Sequence, residues 1–222
     1  MKILALDTTG EFGSIALEQD GALIAEAHLH SPDGFAHLIF NEIDRLLARA
    51  DWKIADIDCF AAASGPGSFT GVRVGMTAVK GLAEALGKPV AAVSKLRALA
   101  QFGSAERRVV MIDARRGEIY AAVYNSTLCA IVPDAITKLP AWLHSLDAGD
   151  YEFITLAGDG IEGALAGTAF TEMKHTSAPR SIASAVAFCA HLDALDGNLV
   201  SPLVADANYV RRSDAELLWK DR

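Results

Sequence analysis

The sequence is poor in cysteine, in positive charge and in long apolar runs. Its 222 residues include three cysteines, Cys59, Cys129 and Cys189, and no Cys-x-x-Cys pair. This pattern argues against a disulfide framework and predicts reduced, buried thiols in a cytoplasmic protein. No stretch approaches the roughly 18 apolar residues of a membrane-spanning helix, and Asp7 interrupts the short apolar start of the chain. We therefore expect neither a transmembrane helix nor a signal peptide.

Positive charge is outweighed by negative charge. The chain has 20 Lys and Arg against 28 Asp and Glu, which gives a net charge of −8 and a pI near 5.2. Because nucleic-acid affinity comes largely from Lys and Arg that neutralise phosphates, the chain is a poor candidate for an RNA binder acting alone. Hydrophobic residues make up 51% and charged residues 22% of the chain, which predicts a sizeable core. The length suits one large domain or two lobes of about 100 residues.

The same order of predicted elements occurs twice. An apolar strand ends at Asp7 in the first half and at Asp113 in the second, 106 positions later. Hydrophobic periodicity predicts further elements in a matching order. In the first half these are strands at 14–19, 22–29, 57–63 and 90–93 and helices at 35–50 and 70–87. In the second half they are a strand after Gly117, strands at 128–132 and 153–157, a helix at 134–146, and helix-like sequence after Gly160.

This repeat predicts an α/β protein with the duplicated ribonuclease-H-like fold of actin, hexokinase and the heat-shock ATPases (the ASKHA fold). Each lobe is a β-β-β-α-β-α unit, with lobes at 1–100 and 101–207 and a tail, 208–222, that packs back on the first lobe. An ordinary doubly wound α/β protein is the alternative, because element order does not settle topology. Fold by itself does not establish activity.

Residues 64–71, Ser-Gly-Pro-Gly-Ser-Phe-Thr-Gly, join a predicted strand to a predicted helix. Such strand–turn–helix segments often hold phosphate. A P-loop requires GxxxxGK[ST], but no lysine follows Gly71. A dinucleotide-binding fingerprint requires GxGxxG, and here the third glycine comes one residue late. Both motifs fail, so only the general attraction of a helix N-terminus for anions remains.

Two predicted helices of the first half carry apolar faces. In the helix after the glycine segment, Gly71, Gly75 and Ala78 share one face beside an apolar stripe. Glycine inside a helix costs about 1 kcal/mol relative to alanine, which is tolerated where another backbone comes close. Packing on the chain's own sheet explains one face, and packing against another chain is the hypothesis for the second. Arg73 and Lys80 are the candidate polar rim contacts of this interface. The candidate partner interface comprises Phe35, Leu38, Ile39, Ile43, Leu46, Gly71, Val72, Arg73, Gly75, Met76, Val79 and Lys80.

Five segments form a pattern that spans nearly the whole chain. They are ILALDTT (3–9), SGPGSFTGVRVG (64–75), KPVAAVSKL (88–96), MIDARRGEIYAAVY (111–124) and NYVRRSDAE (208–216). Together they resemble the bacterial TsaB family, also called YeaZ. The resemblance implies the actin-like fold and a part in making threonylcarbamoyladenosine, on the adenosine next to the anticodon, in tRNAs that read codons starting with A.

The resemblance also implies partners. The chain is similar to a non-catalytic subunit that pairs with TsaD, the paralogue that transfers the threonylcarbamoyl group. This subunit also works with the ATPase TsaE. In isolation such chains form homodimers through the helices that contact TsaD. tRNA is expected to bind only through the complex, and no membrane contact is expected. Arg211 and Arg212 could touch a partner or RNA, with solvated charges as the alternative.

The residues present do not match the catalytic paralogue. In TsaD a metal-binding His-x-x-x-His follows a strand comparable to KPVAAV, and the matching positions here are Lys95 and Leu99. Leucine cannot ligate a metal, and lysine is protonated at neutral pH. His28 and His30 alternate on one strand face as a candidate metal pair, with two solvent-facing imidazoles as the commoner alternative. We expect no metal, no catalytic residue and no enzymatic activity of the chain's own.

A nucleotide-binding, actin-like ATPase is the alternative function. Asp7 lies where actin-like ATPases hold a magnesium-associated acidic residue, and Thr8 and Thr9 could donate hydrogen bonds to phosphate. Asp at a strand end is also a common turn residue. The candidate vestigial nucleotide cleft comprises Asp7, Thr8, Thr9, Gly65, Gly67, Ser68, Asp113 and Gly158. We expect no cofactor bound by this chain alone, with ATP or ADP at a joint surface with TsaD and TsaE.

Overall fold

The computed structural model describes residues 1–210, which form two compact units. Unit 1 contains Met1–Ala98 and Arg180–Asn208, and unit 2 contains Leu99–Pro179 and, of the remaining described residues, Tyr209 and Val210. Each unit has its own five-stranded mixed sheet, as the predicted duplication requires. Among these residues no helix has the length and apolar character needed to cross a bilayer.

The boundaries of the units differ from the predicted lobes. The predicted second lobe spanned 101–207, whereas the contacts place Arg180–Asn208 with unit 1. The reason is that a helix within this segment packs on the sheet of unit 1. Most of the predicted tail, including Arg211 and Arg212, lies outside the described residues.

Unit 1 follows the predicted order of elements. Its elements are β1 (Lys2–Asp7), β2 (Phe12–Gln19), β3 (Ala22–His30), α1 (Ile39–Arg49), a 3-10 helix (Ile54–Asp56), β4 (Cys59–Gly65), α2 (Phe69–Leu86), β5 (Val90–Ser94) and α3 (Lys95–Ala100), which runs across the boundary between the units. The strand order is β3-β2-β1-β4-β5. Strands β1, β4 and β5 pair in parallel, and the β1-β2 and β2-β3 pairs are antiparallel.

Helices cover both faces of the unit 1 sheet. Helices α1 and α2 share one core with side chains of β1, β2, β4 and β5, such as Leu4 and Leu17. The other face is covered by a later helix, Ala183–Leu195, which contacts β1, β2, β4 and β5. Because β1 and β4 are buried on both faces, they read as nearly continuous apolar runs, whereas no residue of the edge strand β3 is fully buried.

The Ala183–Leu195 helix begins without a cap from its own residues. Its first backbone amides are instead bonded by strand side chains. Ser14 Oγ accepts a hydrogen bond from Ala183 N at 2.8 Å, and Glu26 Oε1 accepts one from Ser184 N at 3.2 Å. Strands β2 and β3 therefore supply the acceptors that a helix N-terminus needs.

Unit 2 repeats the β-β-β-α-β order of unit 1, without the 3-10 helix before the fourth strand, and then departs from the pattern. Its elements are β6 (Arg107–Arg115), β7 (Glu118–Asn125), β8 (Ala130–Thr137), α4 (Leu139–Ser145), β9 (Glu152–Leu156), a 3-10 helix (Glu162–Leu165) and β10 (Lys174–Ala178). The strand order is β10-β9-β6-β7-β8. The Ala183–Leu195 helix follows next in the chain and is α5.

Two predictions in unit 2 need correction. The predicted helix at 134–146 begins only at Leu139, because the preceding residues continue β8 and Pro140 suits the first helical turn. The helix-like sequence after Gly160 forms only the short 3-10 helix Glu162–Leu165. Gly160 and Gly167 have φ values of 81° and 76°, in the left-handed region that a right-handed helix does not use.

A buried carboxylate ties one loop to the unit 2 sheet. Glu152 on β9 is fully buried and accepts hydrogen bonds from Ser104 N at 2.6 Å, Ala105 N at 2.7 Å and Thr176 Oγ1 at 2.6 Å. Lys174 Nζ lies 3.0 Å from its Oε1. Burial opposes ionisation, but these bonds outweigh it and lower the pKa of Glu152 to about 2. The group is therefore charged at neutral pH.

The three cysteines are free, as predicted. Burial raises the pKa of Cys59 and of Cys189 to about 12, so both thiols stay protonated and inert. The prediction of buried thiols is wrong for Cys129, which is exposed. It lies beyond the β7–β8 turn, where Cys129 N donates to Asn125 Oδ1 at 2.8 Å.

Candidate functional site

Parallel strand pairing brings the predicted cleft residues of unit 1 together. Strands β1, β4 and β5 run in the same direction, so their carboxyl ends meet at one edge of the sheet. Asp7 ends β1, Gly65 ends β4, and Lys95 follows β5 directly. This edge is where ligands bind in many open α/β sheets.

The turn after β1 satisfies its hydroxyl groups within the chain. Asp7 Oδ1 accepts hydrogen bonds from Thr9 N at 2.9 Å and from Thr9 Oγ1 at 2.7 Å. Thr8 Oγ1 donates to Gly71 O at 2.6 Å. A hydroxyl has one proton to donate. Both threonine protons, which sequence analysis considered for phosphate binding, are therefore committed to protein acceptors in this structure.

The glycine segment packs directly on the Asp7 turn. Ser68 N donates to Thr9 O at 2.7 Å, and Ser68 Oγ accepts from Gly71 N as the N-cap of α2. A Cβ placed on Gly67 would lie 2.5 Å from Thr9 O, and one on Gly75 would lie 2.6 Å from Thr8 Oγ1. A Cβ on Gly71 would overlap Thr8 O.

These distances correct the interpretation of the small residues in α2. Gly71 and Gly75 were predicted to let a second chain come close. What comes close is Thr8 of the chain's own Asp7 turn, with its backbone carbonyl at Gly71 and its side-chain hydroxyl at Gly75. Any side chain at these positions would push α2 away from β1.

Lys95 is a residue of this site that sequence analysis did not assign to it. Its Nζ donates to Thr9 Oγ1 at 2.9 Å, and the residue is only 4% exposed. Asp7 is 0% exposed, and its Oδ2 has no hydrogen-bond partner among residues 1–210. The sequence signal that could have found Lys95 is a lysine directly after a buried strand that runs parallel to β1.

Unit 2 contains the counterpart of the Asp7 turn. Asp113 Oδ1 accepts a hydrogen bond from Arg115 N at 2.8 Å, the same two-residue turn that Asp7 makes with Thr9. The Asp113 side chain is 33% exposed, whereas Asp7 is buried. Gly158, the other predicted cleft residue of the second half, follows β9 in unit 2 with φ 73°. Asp7 and Asp113 thus occupy equivalent turns in the two units, as the repeat predicted.

Most of the predicted partner interface lies inside unit 1. Seven of its apolar side chains are at most 4% exposed, which corrects their assignment to a partner surface: Phe35, Ile39, Ile43, Leu46, Val72, Met76 and Val79. Helices α1 and α2 use their whole apolar bands to cover their own sheet. Leu38 and Lys80 are half-buried, and Arg73 is exposed.

The outer faces of α1 and α2 contain apolar residues that sequence analysis missed. Phe40 of α1 is 52% exposed and Phe69 of α2 is 39% exposed. Arg73 lies over the Phe69 ring, with its guanidinium carbon 3.7 Å from the ring centroid. Thr77 and Gly81 continue the exposed face of α2. The signal in the sequence is an aromatic residue outside the amphipathic stripe of each helix.

The histidine pair on β3 faces solvent. The His28 and His30 side chains are 65% and 52% exposed, and His30 Nε2 lies 2.8 Å from Glu11 Oε1. In the part of the chain that the structure describes, no three His, Cys, Asp or Glu side chains come together as metal ligands. This arrangement fits the alternative of two solvent-facing imidazoles.

Comparison with known families identifies relatives along the whole chain. Residues 33–194 match the family model of TsaD, tRNA N6-adenosine threonylcarbamoyltransferase. The tRNA threonylcarbamoyladenosine biosynthesis protein TsaB of Bacillus subtilis is 34% identical over 99% of this chain and 98% of its own length. TsaB of Escherichia coli is 39% identical over 56% of this chain and 55% of its own length.

Solved structures support the same relationship. YeaZ from Pseudomonas aeruginosa has a TM-score of 0.76 and 27% identity, and the match covers 94% of this chain and 99% of that one. Component A of (R)-2-hydroxyglutaryl-CoA dehydratase from Acidaminococcus fermentans has a TM-score of 0.55 at 10% identity, over 88% and 99% of the two chains. The second likeness shows the fold alone. Together they confirm the predicted duplicated fold.

Proposed function

The chain belongs to the TsaB (YeaZ) family of tRNA threonylcarbamoyladenosine biosynthesis proteins, and on this premise we propose that it is the non-catalytic partner of TsaD. In this proposal TsaD transfers the threonylcarbamoyl group to the adenosine next to the anticodon of tRNAs that read codons starting with A. The chain holds TsaD in its active arrangement, TsaE joins the pair, and tRNA binds through the complex. The match to TsaB over nearly the full length of both chains supports this function most directly.

The outer faces of α1 and α2 are the proposed TsaD-binding surface. Their inner faces are used by the core of unit 1, so a partner can contact only the outer residues. Phe40 and Phe69 supply exposed aromatic area, which is enriched at protein interfaces. Thr77 and Gly81 are small and exposed near the middle of α2, where they would let a partner helix come close. The same surface is proposed to form a homodimer when the chain is alone.

Substitution of the outer faces tests this surface. We expect Thr77→Arg and Phe40→Asp each to weaken pairing with TsaD from the same organism at least about 10-fold, or ~1.4 kcal/mol. A long or charged side chain in a close-packed interface leaves unpaired charge and prevents contact. The measurement is light scattering coupled to size-exclusion chromatography, with titration calorimetry of the same proteins.

Ile131→Asp is the matched control, because Ile131 is 47% exposed, like Phe40, but lies on β8 of unit 2. This control should pair with TsaD as the wild type does. If the wild-type chain forms no complex with TsaD, the proposed function is wrong. If the complex forms and neither α1 nor α2 variant weakens it, the function stands and the surface is wrong.

ATP hydrolysis by the isolated chain is the competing proposal. The position of Asp7 at the carboxyl edge of the sheet favours it. The commitment of the Thr8 and Thr9 protons to Gly71 O and Asp7 Oδ1 weighs against it. A nucleotide held jointly with TsaD and TsaE remains part of the proposal. Measurable ATP turnover by the pure chain that Asp7→Ala abolishes would favour the enzyme.

A further inference from the structure

A buried carboxylate needs a compensating positive charge. Asp7 is 0% exposed, and its Oδ1 accepts only neutral donors, Thr9 N and Thr9 Oγ1. Its Oδ2 has no hydrogen-bond partner among residues 1–210. Burying an ionised carboxylate without a cation is unfavourable by many kcal/mol, so such groups are paired with a cation or bind a metal. An ionised Asp7 is therefore stabilised by a cation close to it.

Lys95 is the cation that the fold brings to this place. Its Nζ donates to Thr9 Oγ1 at 2.9 Å, and the residue is 4% exposed. An ammonium group donates only, so Thr9 Oγ1 accepts a hydrogen bond from Lys95 Nζ and donates its own hydrogen bond to Asp7 Oδ1. The order of the contacts is thus ammonium, hydroxyl, carboxylate. Each of these two hydrogen bonds has a charged group at one end, which strengthens it.

The two charges depend on each other. Within the described residues neither Asp7 nor Lys95 forms a direct ion pair with any other side chain. Lys95 is buried, so its ammonium also needs a negative partner. Lys95 is hydrogen-bonded to Thr9, and Thr9 is hydrogen-bonded to the acidic group of Asp7. One hydroxyl, Thr9 Oγ1, lies between the two charged groups and is hydrogen-bonded to both.

The same turn supports helix α2. Thr9 O accepts from Ser68 N at 2.7 Å, and Thr8 Oγ1 donates to Gly71 O at 2.6 Å. Thr9, which lies between the two charges, is therefore also the residue on which the α2 N-terminus rests. A change in the charge balance at Asp7 would act on the position of α2 through these contacts.

We propose that the Asp7 turn is a cation site filled from within by Lys95. The lysine ammonium balances Asp7 through Thr9 and takes the place that a bound metal ion has at other buried carboxylates. Lys95 is thereby a positioning residue for the turn and for the start of α2. The site is closed by the chain's own residues and needs no added cation to be occupied.

A double-mutant cycle tests this coupling. Lys95→Met keeps the length of the side chain and removes its charge, which leaves Asp7 uncompensated. We expect the melting temperature to fall by about 6–15 °C. Adding Asp7→Asn to Lys95→Met should restore at least half of the loss, because no buried charge then remains. Two independent deletions would instead add.

Lys88→Met is the matched control. Lys88 is the partly exposed lysine of unit 1 whose Nζ lies 3.7 Å from Asp58 Oδ1. Because exposed ion pairs contribute little, its melting temperature should change by less than about 2 °C. A similar small change for Lys95→Met would overturn the proposal.

The direction in which Asp7→Asn changes the melting temperature of Lys95→Met decides the result. If the double variant melts below Lys95→Met, the two charges do not compensate each other and the proposal is wrong. If Lys95→Met yields no soluble protein, the same comparison is made on soluble yield: recovery in the double variant supports the coupling, and no recovery overturns it. Pairing with TsaD plays no part in this test, so its outcome is independent of the proposed function.

Discussion

At the scale of single residues, the distance between α2 and the Asp7 turn depends on three glycines. A Cβ added at Gly67 would lie 2.5 Å from an atom of Thr9, and one added at Gly75 would lie 2.6 Å from an atom of Thr8. A Cβ added at Gly71 would overlap the Thr8 carbonyl oxygen. The lower helix propensity of glycine is tolerated because the missing Cβ allows this approach. Gly81, on the same helix, has nothing within 4 Å of its Cβ position.

This contrast predicts opposite effects of one substitution at two places on α2. We expect Gly71→Ala to destabilise the protein by about 2–3 kcal/mol, because the added methyl group would meet backbone that cannot move freely. Gly81→Ala should stabilise it by about 0.5–1 kcal/mol through helix propensity alone. Melting temperatures should therefore fall by roughly 4–10 °C for the first and rise by roughly 1–4 °C for the second.

Chemical denaturation of both variants checks this prediction. Equal effects of the two substitutions would mean that the close approach at Gly71 does not limit the packing of α2. The result also decides how interface variants are designed. A bulky residue at Gly75 would disturb unit 1 itself, so loss of pairing in such a variant could not be assigned to the partner surface.

At the scale of elements, helix α5 depends on the sheet that it covers. Its N-terminal amides are bonded by Ser14 of β2 and Glu26 of β3 rather than by a residue of its own. Its buried face is made of small residues, among them Ala183, Ala187 and Ala190. Small side chains let a helix lie close to a sheet, and the cross-bonds fix where along the strands it begins.

Removal of the Ser14 hydroxyl tests this dependence. We expect Ser14→Ala to destabilise the protein by about 1–2 kcal/mol, because the buried Ala183 N–H loses its acceptor. Ser181→Ala is the control, since it removes only a 3.4 Å contact to Gly13 O. Faster amide hydrogen exchange in the first turn of α5 should accompany the loss in Ser14→Ala. Unchanged exchange there would show that the cap contributes nothing to α5.

At the scale of the whole molecule, unit 1 is assembled from two distant parts of the chain. Met1–Ala98 forms the sheet with α1 and α2, and Arg180–Asn208 returns to contribute α5. Val200 N and O bond Val90 O and N at 3.0 Å and 2.8 Å at the edge strand β5. Lys80 Nζ donates to Ala205 O at 2.6 Å. The returning segment therefore completes one face and one edge of the sheet.

This organisation predicts which fragment folds. Met1–Ala98 joined to Arg180–Asn208 by a flexible linker of about 15–20 Gly and Ser residues should unfold cooperatively. Met1–Ala98 alone should not, because one apolar face of its sheet would be exposed. Thermal unfolding followed by circular dichroism measures both fragments. Cooperative unfolding of Met1–Ala98 alone would show that α5 is not required for the fold of unit 1.

The sequence by itself determined the order of elements in unit 1 and the duplication. Local patterns decide these features, because strand periodicity and the apolar band of each helix act within a few residues. The five segments of the TsaB family pattern identified the family, which the comparison with Bacillus subtilis TsaB confirmed. The equivalence of Asp7 and Asp113 was also readable, since each closes an apolar run in the sequence.

Only the tertiary structure decided which surface each residue faces. An apolar stripe such as that of Val72 and Met76 shows that a helix buries one face, but not whether a sheet or a second chain covers it; here the sheet covers it. Lys95 and Asp7 are 88 positions apart and meet only because β1, β4 and β5 run parallel. The assignment of α5 to unit 1 likewise depends on contacts between distant parts of the chain, which no local pattern encodes.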